Sequence, residues 1–345
     1  MTGREFRAAV IGLGVGERHI AGFEQDHRCR VVALCDIDVE KLRSVGARHA
    51  GCRLTHDARD ILEDPSIDMV SIASYDEAHY DQVISALAHG KHVFVEKPLC
   101  QNAEELSGIR AALAARPDLR LSSNLILRRT PRFLDLYRRV RAGALGDLYL
   151  LEAEYNYGRF EKITSGWRGR QAYYSVMHGG GIHMIDLLLW LSGQRPNEVF
   201  AYGSKVAGEG TAFKFNDTVA AVLKFPSGMV GRVTANFPCV VPHHHALALY
   251  GTDATFIHNI VGARMFTSKY PDAMPEIIDT PYPGAAKGDM VPRFVSAVID
   301  GGTPEVDADD VMAAMAVSIA IERSANSGLP VNVDYLPAQA ATRVT

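Results

Sequence analysis

Ala8-Ala9-Val10-Ile11-Gly12-Leu13-Gly14-Val15-Gly16-Glu17 is the stretch that decides the fold. Four apolar residues make a short strand, and the glycines turn it directly into a helix expected over about residues 18–25. Gly12 permits the tight turn, and Gly14 lets a pyrophosphate approach the backbone. The helix start that follows presents unpaired N–H groups to an anion. Gly16 comes one residue early for the G-x-G-x-x-G spacing, with Glu17 in the expected place, so the loop through Val15 reads as a shortened form. A tight packing turn without a ligand is the alternative reading of the same residues.

Working outward, apolar runs at 8–11, 30–35, 69–72, 92–95 and 119–122 alternate with helical stretches at 39–50, 79–89 and 103–115. Near-continuous apolarity in the runs argues for strands buried on both faces, as in a parallel sheet with crossover helices. Residues 1–124 are therefore expected to form an α/β Rossmann domain with a doubly wound parallel sheet. Asp36 ends the second strand about twenty residues beyond the glycines, where a carboxylate accepts hydrogen bonds from a ribose diol and repels a 2′-phosphate. No lysine or arginine follows until Lys41, so NAD is expected in preference to NADP.

The pattern changes after Asn124. A helix over 131–142 precedes longer β-like segments at 148–155, 199–204, 218–225, 230–237 and 246–250. Pro226-Ser227-Gly228 and Gly251-Thr252-Asp253 are hairpin turns between them. Helices are expected at 184–191, 292–299 and 308–327. Residues 125–345 thus read as an α+β substrate-binding and oligomerisation domain with a large open, mostly antiparallel sheet.

Composition narrows the partners. The chain has 345 residues, 47% apolar and 22% charged, with 36 basic against 40 acidic residues and a net charge of −4. No basic field invites nucleic acid or an acidic membrane surface. Cys29, Cys35, Cys52, Cys100 and Cys239 are scattered with no C-x-x-C pair, which points to free thiols in a reducing cytoplasm. The first residues read as neither a signal peptide nor a membrane span.

His92-Val93-Phe94-Val95-Glu96-Lys97-Pro98 carries the chemistry. An apolar strand ends there in a carboxylate, a cation and a proline placed to start a helix, at the strand end where open α/β sheets bind ligands. Asn124, at the end of another strand, is a cofactor or substrate contact by position. With Gly12-x-Gly14 and His19, Ser71-Ile72-Ala73-Ser74-Tyr75 with His79, Gly90 through Pro98, and Gly181-Ile182-His183-Met184-Ile185-Asp186 before Trp190, the chain resembles the Gfo/Idh/MocA family of nicotinamide-dependent oxidoreductases over essentially its whole length. The resemblance implies a dinucleotide domain joined to a substrate domain whose sheet makes homodimers or homotetramers. It also implies redox chemistry on a sugar, nucleotide sugar, polyol or related small molecule. It makes Lys97 the residue that touches both substrate and nicotinamide, and His183 the acid/base. Ser74, Tyr75 and His79 would lie at the cofactor. Glu96 would orient Lys97.

A neutral imidazole can take the alcohol proton near pH 7, and a lysine cation lowers its pKa and stabilises developing alkoxide. Many family members carry an aspartate four residues before this histidine; here Gly179 holds the place, and His178, Tyr173 and Tyr174 are the neighbours that could share its role. Trp167-Arg168 stands in a glycine-rich loop suited to a substrate lid. Asp186 is either a substrate contact or a structural residue of its helix. Arg128, Arg129, Arg132, Arg138, Arg139 and Arg141 read as a solvated helix face, with a nucleotide-sugar phosphate clamp as the minor reading. His243-His244-His245 lies on a strand, where at most two of the three share a face, so a metal site is not expected and a place on the open sheet surface or an interface is.

Two rivals share this sequence. One uses tightly held NAD for a redox-neutral cleavage of a glycosidic bond. The other is a catalytically inactive sensor of NAD or sugar.

Overall fold

The computed structural model describes residues 4–335. Its contacts separate two compact units, one holding residues up to Ile126 with Ala286–Met312, the other Leu127–Ala285 with Ala313–Asp334.

The first unit begins with β1 (Phe6–Ile11), α1 (Glu17–Phe23), β2 (Cys29–Cys35), α2 (Val39–Gly46), β3 (Arg53–Thr55), α3 (Arg59–Leu62) and β4 (Met69–Ile72). It continues with α4 (His79–Ala88), β5 (His92–Val95), α5 (Ala103–Ala114) and β6 (Leu121–Ser123). The strands form one sheet in the order β3-β2-β1-β4-β5-β6, and every pairing is parallel. β4 is buried at all four positions, Ser71 among them, as its largely apolar run predicts. The strand order reverses between β1 and β4, which makes their carboxyl ends the ligand crevice of such a sheet. Asp38 caps α2 by accepting from the amides of Glu40 and Lys41, and Asn102 caps α5 by accepting from Glu105.

The second unit holds α6 (Pro131–Arg141), β7 (Leu148–Asn156), α7 (Glu161–Thr164), α8 (Ile182–Ser192), and strands β8 (Glu198–Ser204), β9 (Thr218–Lys224) and β10 (Val230–Asn236). Next come β11 (His244–Gly251), β12 (Thr255–Asn259), β13 (Gly262–Phe266) and β14 (Glu276–Ile278). After α9 (Val291–Ile299) in the first unit, the chain makes α10 (Ala308–Ser327) and β15 (Val331–Asn332). The sheet runs β14-β13-β12-β11-β7-β10-β9-β8-β15. Only β7 and β10 pair in parallel; the other neighbours are antiparallel. β9 alternates buried and exposed residues strictly, so one face is core and the other open. Tyr149, Tyr202, Val222 and Val230 stand exposed on these strands. Among the described residues no helix is long and apolar enough to cross a membrane.

Three expectations need correction. Residues 125–345 do not hold together as one domain, because α9 packs in the first unit: Phe294 meets Phe94 at 5.7 Å between ring centroids, and Val291 fills the space a side chain at Gly22 would need. Pro98 does not start a helix; α5 begins only at Ala103, behind the Asn102 cap. Strands β12, β13 and β14 add a further antiparallel edge that the sequence reading lacked.

Candidate active site

In the first unit, Gly12 adopts φ +84°, and a Cβ there would lie 2.2 Å from the Ala73 carbonyl oxygen. At Gly16 a Cβ would lie 2.2 Å from the Gly12 carbonyl oxygen. Both glycines serve the protein's own close packing. Gly14 differs, since a Cβ there meets nothing within 4 Å. Its backbone faces open space, as contact with a pyrophosphate requires.

Asp36 receives the Leu13 N–H on one carboxylate oxygen at 2.7 Å and the Asp38 N–H on the other at 2.8 Å. It thereby pins the glycine loop to the end of β2 and keeps lone pairs for a diol. The open backbone at Gly14 and this carboxylate are a donor and acceptor set that fits a dinucleotide without a 2′-phosphate. When bound, the nicotinamide supplies the redox capacity that no side chain has.

Ser74 donates to Gln82 Oε1 at 2.7 Å, and Tyr75 beside it is exposed. His79, expected at the cofactor, is fully buried; Nδ1 lies 2.6 Å from the Pro98 carbonyl oxygen and Nε2 3.2 Å from that of Ser74. It braces the loops after β4 and β5 rather than offering a ligand contact. Lys91, inside the family-like string, is also buried, with Nζ donating to the carbonyls of Asp64 and Ile67. Gly90 and Lys91 therefore shape the turn into β5, and Glu96 and Lys97 follow at its carboxyl end.

Glu96 is the hub there. Its Oε1 accepts from Asn124 Nδ2 at 2.6 Å and lies 3.4 Å from His19 Nε2, while Oε2 takes the Lys97 amide at 3.3 Å. His19 is held in turn at Ser71 Oγ, 2.8 Å away. Burial pushes the Glu96 carboxyl up, but His19, the Lys97 charge and the Asn124 amide outweigh it and hold it at about 2. Glu96 is thus a fixed anion beside the half-buried Lys97, suited to orientation and not to proton transfer. Asn124 also donates to the Lys287 carbonyl, so its amide is structural as well as near Lys97's anchor.

In the second unit, His183 occupies the second position of α8, after a wide π-helical turn at Met177–Gly181. Three glycines of that turn are each met by a side chain. A Cβ at Gly179 would lie 2.1 Å from the Tyr174 hydroxyl, at Gly180 2.4 Å from the Tyr155 ring, and at Gly181 2.2 Å from Met177 Sδ. Tyr174 therefore fills the space where an aspartate at 179 would begin. The other two neighbours point elsewhere: His178 Nδ1 lies 2.7 Å from Ser318 Oγ, and the Tyr173 phenol lies with Ser175 and Glu322. His178, expected at the substrate, is a buried link to α10.

Asp186 is likewise not open to a substrate. Arg128 holds it with Nε at 3.1 and 3.0 Å and Nη2 at 2.6 Å, both side chains being almost wholly buried. This corrects the reading of a solvated face for Arg128; Arg138 and Arg141 are exposed, as that reading expects. Arg132 donates to the Thr280 carbonyl, Arg139 pairs with Asp135 and Glu276, and Arg141 donates to the Trp190 carbonyl. Trp167 and Arg168 lie in a 3₁₀ turn, with the guanidinium 4.4 Å from the indole centroid.

The histidine run also departs from expectation. His244 and His245 are buried, and His243 and His245 share a face with Tyr155, against which His183 stacks at 6.1 Å. Tyr155 and Tyr282 were missed entirely; the only signal in the chain was their spacing on β strands and loops, which does not identify neighbours.

With this geometry in hand, comparison with known proteins is informative. The description "Oxidoreductase family, NAD-binding Rossmann fold" matches residues 6–124, and "GFO/IDH/MocA C-terminal domain" matches residues 133–257. The chain is 27% identical to the scyllo-inositol 2-dehydrogenase (NAD(+)) of Bacillus subtilis, covering 96% of this chain and 97% of that one. It is 26% identical to the D-apiose dehydrogenase of Paraburkholderia graminis, covering 98% and 92%. Levoglucosan dehydrogenase in complex with NADH and levoglucosan superposes with a TM-score of 0.82 at 21% identity, covering 96% of this chain and 100% of that one. Matched in order by both domains of the family, this NAD-binding oxidoreductase belongs to the Gfo/Idh/MocA family.

Proposed function

We propose that the protein oxidises a secondary ring hydroxyl of a polyol or free sugar to a ketone, or runs the reverse, with NAD as redox partner and Lys97 and His183 as the reacting side chains. The observation that carries this reading is the fixed Glu96–Lys97 pair after β5, beside Asn124 and in the same unit as the open Gly14 backbone. The full-length relatives, named for inositol and apiose oxidation, support the substrate class. His183 takes the proton of the alcohol as a neutral imidazole, and the Lys97 ammonium stabilises the oxygen as it loses that proton. Glu96 holds the Lys97 backbone amide and sets a fixed negative charge beside it. The internal engagement of Arg128, Arg132 and Arg139 speaks for an uncharged sugar over a nucleotide sugar, since these guanidinium groups already have partners. The cytoplasm is the proposed setting, on the strength of the scattered free cysteines.

The test follows nicotinamide absorbance with NAD or NADP against inositols, free sugars and nucleotide sugars. A rise with NAD and one polyol or sugar is expected, reduced by Lys97→Ala by about two to four orders of magnitude with the fold intact. Wild-type rates in Lys97→Ala would overturn the assignment of the site. A product released without net NADH would move the function to redox-neutral glycoside cleavage, and no product at all to a sensor.

A further inference from the structure

His245 of β11 faces Tyr155 of β7 directly across the antiparallel pairing, with ring centroids 5.3 Å apart. His243, two residues earlier, lies 4.8 Å from His245 and 5.2 Å from Tyr155. Tyr155 in turn stacks on His183. The sheet face next to the proposed base is therefore lined by two further imidazoles, and His183 is near enough to act on the charge of His245.

The Tyr282 hydroxyl bears on the state of that ring. Its oxygen accepts the His245 backbone N–H at 2.8 Å and stands 2.7 Å from His245 Nδ1. The phenol has one proton to give, and the arrangement in which it gives that proton to Nδ1 while its oxygen accepts the amide N–H places the imidazole proton on Nε2. Burial, and then the neighbouring His243 and His183, keep His245 well below the usual histidine range. Burial raises the Tyr282 phenol to about 12, so the donor keeps its proton. The His245 ring is buried, and its Nε2 has no hydrogen-bond partner among the described residues.

Building on the function proposed above, we infer that His245, locked by Tyr282 as the neutral Nε2–H form, is a specificity-determining residue that donates a hydrogen bond to an oxygen of the polyol bound at His183. A neutral donor suits an uncharged hydroxyl or ketone. It also leaves His183 free to gain a proton, which a second imidazolium at this distance would oppose.

Two readouts on the full-length chain test this. Long-range proton–nitrogen correlation spectra, with the His245 signal assigned by its loss in His245→Asn, should give the neutral Nε2–H form throughout pH 5.5–8, and Tyr282→Phe should abolish that lock. A protonated or Nδ1–H ring in the wild type would overturn the inference. With the polyol that the wild type oxidises, His245→Asn and Tyr282→Phe should each raise KM about tenfold, the worth of one hydrogen bond, and lower kcat by less. An analogue lacking the contacted hydroxyl should lose affinity in the wild type and little more in His245→Asn. Unchanged KM in folded variants of an active wild type sinks this inference alone. A wild type inert toward every polyol and sugar sinks the underlying function with it.

Discussion

Replacing Asp186 by alanine separates a structural carboxylate from a substrate contact. Asp186 and Arg128 meet through three N···O contacts of 2.6–3.1 Å, and their side chains are 1% and 3% exposed. Removing the carboxylate takes these contacts from a buried guanidinium that cannot shed its proton. Breaking one side of a buried pair costs about 3–5 kcal/mol. For a domain of roughly 150–250 residues, each kcal/mol moves Tm by about 2–4 °C, so the fall should be roughly 6–20 °C. Calorimetry on Asp186→Ala, with Arg128→Met/Asp186→Leu alongside, reads it directly. The double variant should regain much of the loss, because removing both charges removes the desolvation cost as well. A single variant as stable as the wild type, with KM raised alone, would refute the reasoning and return Asp186 to the substrate.

Three further outcomes follow from the same structure. Gly14→Ala should leave Tm nearly unchanged while weakening NAD binding by calorimetric titration, whereas Gly12→Ala, with its positive φ and a carbonyl 2.2 Å from the new Cβ, should destabilise by about 1–3 kcal/mol; equal effects on both would contradict the assigned roles. Glu96 is held at about 2, below its ordinary 4.5, so its contribution to stability is present above pH 4.5 and fades as the pH falls toward 2. Glu96→Gln should accordingly lose Tm at pH 7 and converge on the wild type over that window, and a pH-independent gap would count against it. If the open face of the second sheet makes the proposed homo-oligomer, Val222→Lys with Tyr202→Lys should lower the mass seen by light scattering; an unchanged mass would place the contact elsewhere.

The first unit was legible because its signals are local. Apolar runs of four to six residues, a glycine turn and a carboxylate at a strand end lie within a few residues of each other, and β4 and β5 fall where the pattern put them. What escaped depends on distance along the chain. Nothing near Val291 says that α9 packs beside Gly22, and nothing near Asp186 names an arginine 58 positions away. Strands β12 and β13 alternate buried and half-buried residues properly, but the turn between them centres on exposed, apolar Ile260 and Val261, so only the flanking Asn259 and Gly262 mark it. His183 could be picked out by its motif. The imidazoles and phenols around it could not, since their grouping rests on the pairing of β7 with β11 and on a tyrosine from a later loop.

The crowding at Gly179 also bears on how this chain could change over generations. A lineage that acquired an aspartate there would need its new Cβ close to where the Tyr174 hydroxyl now sits, and Tyr174 itself packs against Phe213 and Phe237. Shrinking Tyr174 first would open a void, and adding the aspartate first would force a clash, so each single step goes downhill. A double change, such as Tyr174→Ala with Gly179→Asp, removes the clash and refills part of the void. The two positions are therefore coupled, and a scan of single substitutions would record a cost for Gly179→Asp that reflects the Tyr174 side chain and not the reaction.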